Sequence, residues 1–119
     1  ADPRDKEFRN QLFRCAREGD IAGVQNLFLT VQVNLGSCAS ALHARDSKGM
    51  TLLHWAAREG HMALAQYLVN EEHAELSAQD SHGLSPADHA RQQYWMQLAR
   101  WLEGLENVRA DWARWLQAM

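Results

Sequence analysis

Six histidines and two cysteines are the residues in this chain whose types could do chemistry. His54 and His61 stand seven positions apart, and His82 and His89 repeat the spacing. That pattern raises a metal site as a question, but no Cys-x-x-Cys or His-Glu-x-x-His accompanies it. Neither Cys15 nor Cys38 sits in a motif that would lower a thiol pKa, and no Gly-x-Ser-x-Gly elbow occurs. The seven glycines are dispersed among turns and build no phosphate-cradling loop. Glu71 and Glu72 close a helical stretch and read as solvated surface. The residues therefore point to no catalytic group, no metal and no cofactor, and the expectation is a protein that is not an enzyme.

The elements that carry these residues belong to one domain of 119 residues, long enough to bury roughly two-thirds of its unfolded surface. Hydrophobic residues make up 46% and charged residues 23%, which excludes a disordered chain. A net charge of −3 gives no global reason to expect nucleic acid or an anionic membrane as partner. Arginine outnumbers lysine ten to two, which favours bidentate contacts to carboxylates. No apolar run reaches membrane-spanning length, and no signal-peptide core is present. Cys15, in a helical pattern, reads as a structural thiol, and two cysteines make no disulfide framework. A reducing compartment, cytoplasm or nucleus, is expected. Residues 1–7 are read as an N-terminal tail, of which Ala1-Asp2-Pro3 is given no structural weight.

The chain repeats itself. Asp46-Ser47-Lys48-Gly49 recurs as Asp80-Ser81-His82-Gly83 after 34 residues, and Ala16-Arg17-Glu18-Gly19 recurs as Ala57-Arg58-Glu59-Gly60 after 41. Asp-x-x-Gly is a turn in which the aspartate caps its own backbone. Thr51 is an N-cap for a short helix made slim by Ala56 and Ala57, and Gly60 ends that helix. Met62, Leu64, Ala65, Leu68 and Val69 then supply an apolar helix face. Upstream, Phe8, Leu12, Phe13, Cys15 and Ala16 give one face and Ile21, Val24, Leu27 and Phe28 the next, while Arg9, Asn10, Arg14 and Arg17 keep the outer side polar. Tyr94 falls where Gly60 stands one unit earlier, so the last pair of helices is joined by a changed turn or partly fused. Thr30 to Ala44 is an insertion in which Val31, Val33 and Leu35 alternate, read as a short extended piece with a turn or as an irregular loop.

Thr51-Leu52-Leu53-His54-Trp55-Ala56 resembles the ankyrin signature Thr-Pro-Leu-His-x-Ala, with Leu52 in place of the usual proline. The resemblance covers about residues 8 to 103. It implies an all-α solenoid of three helix-turn-helix units with short turns or hairpins: 8–45 a capping repeat with an insertion at about 29–45, 46–79 the central repeat, and 80–103 a degraded third. It also implies that His54 hydrogen-bonds within its turn-helix junction and that His61 starts the second helix. The function implied is binding of another protein, as an adaptor or as the recognition domain of a larger chain. Carried over by position, the contacts would come from hairpin tips at Ser47, Lys48, Met50, Ser81, His82 and Leu84. Helix positions Arg17, Glu18, Arg58 and Glu59 would join them, with Gln92 and Gln93 in the third unit, while Trp55, at the edge of the groove, either packs between repeats or contacts the partner.

Residues 104–119 read as an extra amphipathic helix or cap. Leu98, Trp101, Leu105, Val108, Trp112, Trp115 and Met119 recur at alternating spacings of three and four. Either this seam hides the open end of the stack, or Trp112 and Trp115 form a partner-binding or homodimer surface. Gly104 is either spanned by one helix or allows a second to fold back. Two further function classes stay open: a structural assembly protein built on that seam, and an ankyrin segment of an enzyme whose catalytic part lies elsewhere.

Overall fold

The computed structural model describes residues 6–36, 42–72 and 74–118, apart from the side chains of 34, 35 and 109–113. Among the described residues six helices follow in order: α1 (Lys6–Glu18), α2 (Ile21–Leu35), α3 (Leu52–Glu59), α4 (Met62–Asn70), α5 (Pro86–Gln92) and α6 (Met96–Ala118). Among the described residues there is no strand. The helices pair as α1–α2, α3–α4 and α5–α6, and α1, α3 and α5 pack side by side as one layer.

The sequence sets each helix locally. Asp20 caps α2, its Oδ1 accepting the N–H of Gly23 at 3.0 Å. Thr51 caps α3 in a reciprocal box: its Oγ1 accepts the N–H of His54, and Nδ1 of His54 accepts the N–H of Thr51 at 3.1 Å. Ser85 and Asp88 build the same box for α5, with Pro86 in the first turn, where its missing N–H costs nothing. α3 lies between α1 and α5, so all six residues from Leu52 to Ala57 are buried, and the alanines let its neighbours approach closely. Each fully buried leucine here contributes about 2 kcal/mol.

Side chains repeat their jobs from unit to unit. His61 Nε2 lies 2.7 Å from the carbonyl oxygen of Arg17 and donates to it. Trp95, 34 residues later, donates its indole N–H to the carbonyl of Arg58 at 3.0 Å. Because the next unit's ring presses against this corner, Gly60 has no room for a side chain: a Cβ would fall 2.5 Å from Cε2 of Trp95. Tyr94 takes the same left-handed backbone, with φ 65°. The last two helices are therefore joined by the ordinary turn, neither altered nor fused.

Two other expectations are resolved. Val31, Val33 and Leu35 are helical, not extended, because Val31 continues the buried stripe of Val24 and Phe28 and α2 runs on to a left-handed cap at Gly36. Residues 37–41, including Cys38, lie outside the described residues. α6 passes through Gly104 without a break, so no helix folds back. Among the described residues its buried side chains are Leu98, Ala99 and Leu102, which cover α5, while Val108 and Leu116 are exposed.

Candidate functional site

The turn at Asp46 is built by its own side chain. Asp46 Oδ1 accepts the N–H groups of Lys48 and Met50, each at 2.9 Å, and its backbone N–H donates to the Met50 carbonyl at 3.0 Å. Asp80 repeats this with His82 and Leu84 at 2.8 and 3.0 Å. The two hairpins are stitched edge to edge, Ser81 donating its N–H and hydroxyl to the Lys48 carbonyl at 3.1 and 2.8 Å. Gly49 is required by that approach, since a Cβ there would meet the Ser81 nitrogen at 2.8 Å. Arg45 clamps the pair by donating to the carbonyls of Gly49 and Gln79.

Beside this hairpin lies a groove of about 690 Å³. Lys6, Arg9, Asn10, Phe13 and Arg17 of α1 form one wall, and Arg45, Asp46, Ser47 and Lys48 the other, with Trp55 of α3 between them. Trp55 is only 7% exposed, and its indole N–H donates to Asp46 Oδ2 at 2.8 Å. Arg17, Lys48 and Arg58 all sit over its ring, 5.4, 5.9 and 5.3 Å from the centroid. Each cation is attracted to the indole face, yet the three repel one another. Among the described residues none of the three makes an ion pair. The one carboxylate in the wall, Asp46, already has both oxygens engaged.

The structure brings Arg17, Ser47, Lys48 and Trp55 together at this groove, and Arg58 lies over the Trp55 ring without lining the wall. Met50 is 2% exposed and belongs to the core, because it turns inward from the hairpin; it offers no surface contact. Glu18, Glu59, Ser81, His82, Gln92 and Gln93 are exposed but outside the groove wall, and Leu84 is half-buried, its carbonyl accepting from His54 Nε2 at 2.9 Å. Trp115 is 53% exposed on α6, and the Trp112 side chain lies outside the described residues. Lys6, Arg9, Asn10, Phe13 and Arg45 were not anticipated. Their signal was the spacing 6, 9/10, 13, 17, which lines one face of a helix.

The remaining polar groups are structural. His54 is fully buried and burial pushes its pKa down, so it stays neutral with its proton on Nε2. Burial of Asp80 opposes its charge, but the N–H groups of Leu84 and His82 and the ring of His89 outweigh this and hold its pKa at about 2. Burial, with the charges of Asp20 and Glu18 beside it, raises the Cys15 pKa. Among the described residues no three His, Cys, Asp or Glu side chains converge as metal ligands, and no helix is long and apolar enough to cross a membrane.

Helix pairs, stitched hairpins and a groove between them define a solenoid built to present a surface. The family model for ankyrin repeats (3 copies) matches residues 12–103, and the chain belongs to that family. It is 28% identical over 96 residues, 76% of its length, to the Caenorhabditis elegans protein named "Putative glutaminase 2". It is 36% identical over 72 residues, 56% of its length, to acyl-CoA-binding domain-containing protein 2 of Arabidopsis thaliana. The matches span 14% and 18% of those two proteins. A chain in the crystal structure of the yeast ribosomal protein Rps3 in complex with its chaperone Yar1 shares the fold, with TM-score 0.70 and 21% identity over 76% of this chain and 61% of that one. The chain is a protein-interaction module.

Proposed function

We propose that this module works without catalysis, as an adaptor or as the recognition domain of a larger protein, and that it holds its partner in the groove beside Trp55. The observation that carries this reading is the convergence of Arg17, Lys48 and Arg58 on one indole, with no ion pair among the described residues to neutralise them. Folding alone does not call for three like charges at one ring. Relatives several times longer, with quite different names, fit a module that is reused for recognition. The free thiol of Cys15 supports a reducing compartment, cytoplasm or nucleus.

The test is affinity capture from extract of the source cells with three forms of the chain. Wild type and a Gln66→Glu variant, altered on α4 outside the groove, should retain the same partner, and a Lys48→Glu, Arg58→Glu variant should lose it. A partner kept by the double reversal places the contact elsewhere. Self-association through α6 is the competing use of the chain's tryptophans, and light scattering decides it: a dimer broken by Trp115→Ala would establish that reading instead.

A further inference from the structure

We infer that the groove takes an acidic stretch of the partner polypeptide, with Asp or Glu side chains seated on Arg17, Lys48 and Arg58 above Trp55. This rests on the groove being the contact surface and adds the chemistry of its occupant. Lys6, Arg9, Arg17, Arg45 and Lys48 line the groove of a chain whose net charge is −3, so positive charge is gathered here against the overall balance. Asp46 is the one carboxylate in the groove wall, set against these five cations, and its oxygens are held by N–H groups of the turn and of Trp55. An anionic occupant would relieve the repulsion among the cations around the indole.

The form of the anion follows from the ring. Single-stranded nucleic acid is held by stacking bases on open aromatic faces. Trp55 is 7% exposed and covered by cations, so it offers no stacking platform. Arginine forks match carboxylates in bidentate fashion, and two of the three cations over the ring are arginines.

Fluorescence anisotropy tests this with the whole chain and three labelled probes: a hexaglutamate peptide, its hexaglutamine counterpart, and an oligothymidylate of matching charge. The glutamate peptide should bind at least about tenfold more tightly than the glutamine peptide, and lose most of that affinity between about 0.05 M and about 0.5 M NaCl. Arg17→Gln with Lys48→Gln should weaken it at least about tenfold, while Arg14→Gln, on α1 outside the groove, should not. Thermal melts of the variants establish that they are folded. Equal binding of both peptides, or tighter binding of the oligothymidylate lost in the same double variant, overturns the inference. If the glutamate peptide fails while capture of the native partner still depends on Lys48 and Arg58, only the acidic occupant is wrong; if both fail, the groove reading falls with it.

Discussion

The indole N–H of Trp55 points at Asp46 Oδ2, 2.8 Å away, so a residue of the first helix layer is locked to the turn that precedes it. One unit later His89 makes the same bond to Asp80 at 2.7 Å. A tryptophan and a histidine thus serve one purpose: a ring N–H nine residues downstream that steadies the hairpin. What differs is the ring face, and only the indole gathers three cations.

Trp55→Phe keeps an aromatic ring but removes the donor, leaving one oxygen of Asp46 without its partner. The variant should lose about 1.5 to 3 kcal/mol of stability in urea unfolding, the range for a bond to a charged group. A loss below about 0.5 kcal/mol would mean that the bond does not steady the turn.

Tyr94 holds a left-handed backbone that side chains resist. Tyr94→Gly should raise stability by about 0.5 to 1 kcal/mol, seen as a rise of a few degrees in Tm. Gly60→Ala should lower it by more than about 1 kcal/mol, because its Cβ has both strain and Trp95 against it. The opposite order would contradict the role given to the stacked ring.

Stability should fall in two steps as pH drops. His54 has a folded pKa below its ordinary 6.5, so its contribution is full above pH 6.5 and is lost as pH falls through the lower folded value. Asp80 sits at about 2 against an ordinary 3.8, so its contribution is lost only between those values. Urea titrations across this range should show both declines, and His54→Gln should remove the first. A profile flat from pH 7 to pH 3 would contradict both assignments.

α6 caps the stack with its first half. Leu102→Ala should cost about 2 to 5 kcal/mol, whereas ending the chain after Glu106 should cost less than that substitution in the same calorimetric experiment. A larger loss from the truncation would move the cap into the second half of the helix.

The central unit was legible because its chemistry is local: Asp46, Thr51, His54 and Gly60 each act on backbone within a few residues. The end of α2 was not, since Val31, Val33 and Leu35 alternate like a strand, and only burial of Val31 against the neighbouring helices decides for a helix. The turn at Tyr94 was hidden because residue type argued against a conformation that the packed Trp95 imposes. For the candidate groove, Ser47, Lys48 and Trp55 were legible from one repeat. The α1 wall was not, because Lys6, Arg9 and Arg17 meet Lys48 only through the stacking of α1 on α3.

The most direct test of the groove is the indole region of a ¹⁵N–¹H spectrum during titration with the hexaglutamate peptide. The Trp55 signal is identified by its loss in Trp55→Phe. The account predicts that the Trp55 indole and the backbone amides of Ser47 and Lys48 shift together and saturate together, while the indoles of Trp95 and Trp115 stay in place. Shifts at Trp115 or Trp95 with Trp55 unmoved would contradict it.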